Sequence, residues 1–466
     1  MALSRIWSAF IIVAIVAALI SSLYSPQGKT IFSRMVTGKS GDTSFTSIID
    51  SAALPAAAAQ LLNQGKEAKI GEQKYAPAAQ TGKYLSYREQ SADGIIATCE
   101  TAVNFCIKLI GIMALFMGFM SIAEKAGGVQ WLSRIITPFF SKLFPEVPKG
   151  HPAYGHMMLN FSANLLGLDN AATPFGIKSM QSLQSLNSST VASNPQIMFL
   201  CLHASGLTLI PISIFAARAA RGAASPTDIF IPCMIATFAA TVAAMIIVSI
   251  KQRINLLQPI VFLWIGSFSI VIGALIGYLS GLSRQGMESF SGVLSNGLIL
   301  LIFILIVLGA LYKRINVFDA FVEGAKGGFE TAIKIIPYLV GMLVAISMLR
   351  NSGVFDLLIT GMKQFFAAVG FDTRFVDGLP TALIKPVSGS GARGMMIDTM
   401  KTYGADSFAG RLSCILQGSS DTTFYVIAVY FGAIGIQNTR YAIGAMLLAD
   451  LVGIITSIAL CYLFFG

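Results

Sequence analysis

The sequence predicts an all-α polytopic membrane protein made of two inverted-topology repeats, each with an amphipathic helix and a re-entrant helical hairpin. Composition is the first reason. Of 466 residues, 55% are hydrophobic and only 12% charged, whereas an ordinary soluble domain carries about 25% charged residues. The second reason is a series of apolar runs long enough to span a bilayer. The third is the stretch NFSANLLGLDNAATPFGIKSM, residues 160–180, which lies between such runs yet carries amides, an acid and the helix interruptions Gly167, Pro174 and Gly176. Irregular backbone at membrane depth is tolerated only where protein buries it or where it lines a wet cavity. This stretch therefore reads as a hairpin that binds something.

Composition also limits the chemistry. The net charge of +10 needs no nucleic-acid partner, because basic residues beside spans orient helices and meet anionic headgroups. Six cysteines, at 99, 106, 201, 233, 414 and 461, include no CxxC pair and read as small buried hydrophobes. Three histidines without ligand spacing argue against a metalloenzyme. No cofactor is expected.

Taken in order, residues 1–25 read as a first transmembrane helix, left uncleaved because the second repeat supplies a counterpart for it. Residues 26–92 are polar, punctuated by Pro55 and Pro77, and read as an extramembrane insertion with some helix around 51–64. A first repeat is expected over 93–253, a linker transmembrane helix over 254–285 and a second repeat over 286–466. Spans are expected at about 97–120, 196–217, 228–250, 257–281, 294–312, 332–350, 409–431 and 440–464. Residues 128–144, anchored by Trp131, and 353–369 have the alternating pattern of helices lying in the headgroup region.

The repeat is legible in matching landmarks. Asp93-Gly94 and Glu100-Thr101-Ala102 open one span, and Glu323-Gly324 and Glu330-Thr331-Ala332 open its counterpart with the same separation. Each amphipathic segment contains a Phe-Phe pair, Phe139-Phe140 or Phe365-Phe366. Each leads into a Gly/Pro-broken polar region, 160–180 or KPVSGSGARGMMIDTM at 385–400, followed by a span with a polar beginning. Lys251/Arg253 and Lys313/Arg314 flank short connections and are expected on the cytoplasmic side. The extra crossing between them inverts the second half, while Arg218 and Arg221 then fall outside and oppose this orientation.

Interrupted segments at matching positions of two halves point to a transporter's midplane site. In the first, Asp169 and Asn170 either cap the helix beginning near Thr173 and Pro174 or meet a ligand there with its free N–H groups. In the second, the small residues of Ser388-Gly389-Ser390-Gly391 form a tight turn or let backbone approach a solute. The run Gln417, Ser419, Ser420, Asp421, Thr422, Thr423 places a carboxylate among hydroxyls inside a span, a functional candidate by default, with helix–helix glue as its plainer role. His203 with Ser205 occupies the mirrored position, and a lone histidine there reads as a packing residue. Asp398 and Asp450 are expected partners for Arg393 or Lys385, and Lys178 for Asp169. An intramembrane hydrolase using Ser388, Ser390 or Ser205 with His203 lacks a GxSxG elbow or a base at readable spacing, so no enzyme is expected.

At these residues the first half, about 1–253, resembles spore maturation protein A, through HPAYGHMMLNFSANLLGLDNAATPFGIKSM and SPTDIFIP at 225–232. The second half, about 290–466, resembles spore maturation protein B, through EGAKGGFETAIKIIPYLVGMLVAISMLRNSG, GSGARGMMIDTMKTYGADSFAGRL and QGSSDTTFYVIAVYFGAIG. The resemblance covers nearly the whole chain, although the spore proteins are usually separate chains and the 26–92 segment is outside the pattern. Both halves look like the nucleoside recognition or Gate domain, similar to part of the concentrative nucleoside transporters. That implies two re-entrant hairpins from opposite faces around one solute site.

The expectation is therefore a secondary transporter of a small polar solute, nucleoside-like or another small organic molecule, driven by Na⁺ or H⁺ across the cytoplasmic membrane. Asn160, Asn164, Asn170 and Thr173 would contact the solute from the first hairpin, Ser388 and Ser390 from the second, and Gln417, Ser419, Ser420 and Thr422 from the following helix. Asp169 and Asp421 would couple the ion. Partners are the solute and membrane lipid, with a homo-oligomer left open. The alternative is a non-transporting membrane scaffold for spore or envelope maturation.

Overall fold

The structure is a computed structural model that describes residues 2–24, 31–50, 56–63, 68–70, 73–77, 83–166, 169–208, 210–281 and 284–466. Helices dominate the described residues, as expected of an all-α polytopic membrane protein. Among the described residues, six helices are long and apolar enough to cross a membrane. The chain divides into two compact units, the smaller made of residues 6–102 and 343–361, the larger of residues 1–5, 103–342 and 362–466.

In the first part of the chain, α1 (Ala2–Tyr24) and the short α2 (Ile31–Thr37) precede β1 (Gly38–Asp50), α3 (Ala56–Asn63), β2 (Ala68–Ile70), β3 (Gln73–Pro77) and β4 (Lys83–Asp93). The strands form one antiparallel sheet in the order β1-β4-β3-β2, with Gly38 opposite Asp93 and Asp50 opposite Lys83. The helix expected around 51–64 is present as α3. The sheet was not expected, because β1 and β4 are polar and interrupted by bulges between Lys39 and Asp42 and between Ser44 and Ser47, which erases strict alternation.

Two runs of seven helices then follow the same order. The first is α4 (Ile95–Lys125), α5 (Gly128–Phe140), α6 (Pro152–Leu165), α7 (Asp169–Gln184), α8 (Asn194–Ser205), α9 (Ile212–Ala220) and α10 (Phe230–Gln252). After α11 (Pro259–Ser280) and α12 (Arg284–Tyr312) come α13 (Val317–Asn351), α14 (Val354–Ala368), α15 (Leu379–Ile384), α16 (Gly389–Tyr403), α17 (Phe408–Gly418), α18 (Thr423–Gly432) and α19 (Ala442–Phe465). Each run is a long helix, a shorter one, a pair of short helices, a second pair and a closing long helix.

Within the larger unit, small residues set the helix crossings. A Cβ on Gly324 would lie 2.3 Å from the carbonyl oxygen of Met117, and one on Gly328 would lie 2.8 Å from the backbone of Ala114. Such close backbone approach is the usual way helices associate in lipid, where the hydrophobic effect offers no drive. Lys125 and Glu323 pair across the same α4–α13 crossing. The closing helices α10 and α19 meet at Ala240 and Gly453, where an added Cβ would sit 3.3 Å from the Ala240 methyl. The main core packs Met157, Met158 and Phe161 of α6 and Phe199 and Leu200 of α8 against Tyr430 and Phe431 of α18 and Met446 of α19. Cys106, Cys201, Cys233, Cys414 and Cys461 are buried free thiols.

Candidate functional site

The segments 196–217 and 409–431, expected as single spans, are each broken. The first stops at Gly206, whose φ of 56° places it in the left-handed region, and restarts only after Pro211. The second stops at Ser419 and restarts after Thr422, with Asp421 Oδ1 accepting the N–H of Thr422 at 2.7 Å. Apolar residues on both sides hide the breaks from a hydropathy reading, and the local cause is a glycine and a proline in one half and, in the other, the Asp421 carboxylate taking the Thr422 N–H.

The two broken helices run antiparallel and touch at both ends. Before α8 and after α18, Gln437 N–H donates to the Thr190 carbonyl and Ala192 N–H to the Asn438 carbonyl, both at 2.9 Å. After α9 and before α17, Arg218 donates to Asp228 Oδ1 at 2.8 Å, Asp406 Oδ1 at 3.0 Å and the Ala405 carbonyl at 2.6 Å. Arg411 holds the other oxygen of Asp228 at 2.8 Å. Arg218 is fully buried, so its donors must all be answered within the protein, and these are. Midway, the breaks themselves meet, the Asp421 N–H donating to the Ala204 carbonyl at 2.7 Å.

The two short helix pairs close on these breaks. Asn160 of α6 donates from Nδ2 to the Ala172 carbonyl of α7 at 2.7 Å, so one amide ties the first pair together. Gly176 of α7 lies against Tyr430 of α18, where an added Cβ would come within 2.4 Å of the ring. In the second pair, Ser388 caps α16 by accepting the Gly391 N–H at 2.9 Å. Lys385 Nζ donates to the Gln417 carbonyl at the end of α17 at 2.7 Å. The Pro386 carbonyl accepts the Phe424 N–H that opens α18 at 2.9 Å.

Between them lies a cavity of about 470 Å³, within the range of small-molecule sites. Of the residues that the sequence put forward, Asn164, Thr173, Gln417, Ser420, Asp421 and Thr422 line it. Lys385, Arg393, His203, Thr208, Tyr425 and Tyr430 also line it. Gln417 Oε1 is buried with no hydrogen-bond partner among the described residues. His203 is buried, its Nδ1 3.0 Å from Asn160 Oδ1 and 2.8 Å from Asn164 Nδ2, and its Nε2 3.9 Å from Asp421 Oδ2.

Other expected residues stand one step back. Asn160 is fully buried and reaches the cavity through His203. Ser388 and Ser390 lie 3.4 Å apart at the start of α16 and do not line the cavity, where Gly389 does. Ser419 turns its hydroxyl back to the Leu416 carbonyl at 3.0 Å. The side chains of Asp169 and Asn170 lie outside the described residues, as does any pairing of Asp169 with Lys178. Asp450 accepts from Thr423 Oγ1 at 2.6 Å. The sequence reading gave His203, Lys385 and Arg393 no solute-facing role. The signal for the two cations was their place in the broken 385–400 region, whereas His203 gave none, its partner Asn160 lying on another helix.

Fold and site define a polytopic helical membrane protein whose two halves repeat one order of elements beside a polar cavity. The nucleoside recognition family, Gate, matches residues 106–221 and 332–437, once in each half. The chain is 48% identical over 161 residues to spore maturation protein B of Bacillus subtilis (strain 168), covering 34% of this chain and 89% of that protein. It is 39% identical over 156 residues to spore maturation protein A of the same organism, covering 33% of this chain and 80% of that protein. No solved structure matches it. The chain belongs to the spore maturation protein A and B family of nucleoside recognition domains, with matches to both proteins on one chain, consistent with a fusion.

Proposed function

We propose that this protein is a secondary transporter of a small polar solute, coupled to Na⁺ or H⁺, with its site between two re-entrant hairpins that enter the cytoplasmic membrane from opposite faces. The observation that carries this is the antiparallel meeting of two broken helices, at Ala204 and Asp421, beside a polar cavity. Discontinuous helices at matching positions of inverted halves are how many secondary transporters build a midplane site. The repeated order of seven helices supports two such halves, 93–253 and 286–466, with 26–92 outside the membrane. The hairpin reading of α6 and α7 draws on length, since the 14 residues of α6 extend only about 21 Å where the hydrocarbon core needs about 30 Å. Arg218, which opposed the charge-based orientation, is held in a buried ion-pair network instead of facing headgroups.

The cavity walls favour a solute with both donors and electron-rich groups. Gln417 Oε1 asks for an N–H or O–H, while Lys385, Arg393 and the first turn of α16 favour carbonyl or anionic oxygens. Nucleosides carry both kinds of group, and the family's description makes them the first class to test. In this reading the protein is not an enzyme, its partners are solute and lipid, and its oligomeric state is open. The names of the relatives favour a second reading, a non-transporting scaffold for spore or envelope maturation. A thermal-shift screen of the purified protein with uridine, adenosine, glutamate and malate, with and without Na⁺, separates the two. Transport predicts that one class raises the melting temperature by mass action, and the scaffold predicts that none does.

A further inference from the structure

We propose that His203 and Asp421 together form a proton-binding site on the cavity wall, with Asn160 as the residue that fixes its protonation chemistry. That this proton is the coupling ion rests on the transport reading above; the site itself does not.

One amide beside the His203 ring has a fixed orientation. Asn160 Nδ2 donates to the Ala172 carbonyl at 2.7 Å, and a carbonyl only accepts, so Asn160 cannot exchange its nitrogen and oxygen. Its Oδ1 therefore faces His203 Nδ1 at 3.0 Å, and because that oxygen only accepts, Nδ1 must carry hydrogen. Asn164 Nδ2 sits 2.8 Å from the same nitrogen; this amide has no other hydrogen bond among the described residues, so, unlike Asn160, it can exchange its nitrogen and oxygen and present an acceptor. The opposite tautomer would set the Nδ1 lone pair against an oxygen that cannot turn away.

The consequence appears at the other end of the ring. With Nδ1 protonated, neutral His203 presents the Nε2 lone pair to the Asp421 carboxylate, 3.9 Å from Oδ2. Two acceptors then face each other across a gap that one proton converts into an attraction. That proton belongs to the pair. His203 is buried, whereas the Asp421 side chain is 46% exposed toward the cavity, so the proton has a route in from water.

The surrounding charges are compatible with this. Lys385 and Arg393 of the second hairpin are the cations that line the same cavity among the described residues. Lys385 is oriented by the Gln417 carbonyl, and Asp450 of α19 is engaged by Thr423. Tyr430 packs its ring edge-on to His203 with centroids 4.8 Å apart, and Tyr425 is the other phenol on the wall. Asp169, at the start of α7, is the remaining acid of the first hairpin.

The proton also has something to move. Asp421 bridges the two breaks through its N–H and accepts the Thr422 N–H through Oδ1. His203 is tied through Asn160 to the α6–α7 pair. Protonation draws Nε2 and Oδ2 together and holds the first hairpin against the second break. Deprotonation loosens that contact and frees the hairpin to open the cavity.

The test is nitrogen NMR of the full chain labelled with ¹⁵N-histidine in phosphatidylcholine vesicles. His151→Gln and His156→Gln variants assign the three histidines. At alkaline pH the expected state of His203 is a protonated Nδ1 and a bare Nε2, which gains its proton on acidification. In Asp421→Asn the midpoint of that step moves to lower pH by about one unit, the effect of losing a neighbouring carboxylate. In Asn160→Ala the Nε2–H tautomer becomes populated at alkaline pH. A wild-type Nε2–H tautomer, or a midpoint unmoved in Asp421→Asn, overturns the proposal. The resonances report the site whether or not the vesicles accumulate [³H]uridine, so loss of the transport reading and loss of this site are distinguishable.

Discussion

The backbone N–H of Asp421 donates to the carbonyl of Ala204 across 2.7 Å, joining the break in one helix to the break in the other. Because neither group belongs to a continuous helical ladder, each needs a partner at membrane depth. The mutual bond satisfies both, and it leaves the Asp421 carboxylate free to face the cavity. The expectations below follow from this junction and from the contacts that hold it at either end.

Arg218 is the strongest of those end contacts. It is fully buried among Asp228, Asp406 and the Ala405, Pro226 and Ser225 carbonyls. Arg218→Met is expected to leave Asp228 with Arg411 as its one remaining cation and the Ala405, Pro226 and Ser225 carbonyls without their donor, at a cost of about 3 kcal/mol, read as a large fall in melting temperature in detergent. Arg218→Lys is not expected to rescue it, since an ammonium cannot reach five acceptors from one planar fork.

Gly176 and Tyr430 test the packing of the first hairpin on α18. Gly176→Ala places a methyl within 2.4 Å of the ring, and overpacking of a buried ring is expected to cost about 1–3 kcal/mol. In a Tyr430→Leu background the clash is gone, and the same substitution is expected to be neutral or stabilising by up to about 1 kcal/mol through helix propensity. A double-mutant cycle on melting temperature checks the change of sign. Equal effects in both backgrounds would place the hairpin elsewhere.

Gln417 tests the wall of the cavity. Its Oε1 is buried without a partner among the described residues, so a solute donor is expected to complete it. Gln417→Leu is expected to leave the folding stability, read from the melting temperature, within about 1 kcal/mol of wild type, because it removes an unanswered polar atom. It is expected to weaken solute binding by roughly 10- to 100-fold, the equivalent of a buried hydrogen bond at about 1–3 kcal/mol. Thermal shift against ligand concentration measures both quantities.

The all-α polytopic class was legible because membrane spans are strong, local signals. Residues 160–180 declared themselves through amides beside glycine and proline, and α6 and α7 now occupy that stretch. The breaks at Gly206 and at Ser419–Thr422 were read through, because the polar residues sit between apolar half-helices that together have the length of a span. The sheet over 38–93 was missed because bulges and a polar composition remove its period of two. Among site residues, Asp421 and Gln417 were found from an acid and an amide in an apolar run. His203 was set aside because its meaning comes from Asn160, 43 residues away on another helix, a relation that spacing does not encode.

The central claim is that the cavity between the broken helices carries solute across the membrane. The most direct measurement is uptake into vesicles containing the purified full chain, with [³H]uridine, [³H]adenosine, [¹⁴C]glutamate and [¹⁴C]malate, under inward Na⁺ and H⁺ gradients applied separately. The account predicts accumulation of one solute class driven by one gradient, and its loss in Asp421→Asn protein that inserts normally and keeps a single melting transition. Absence of gradient-driven uptake for every solute, or undiminished ion-dependent uptake in Asp421→Asn, would contradict it.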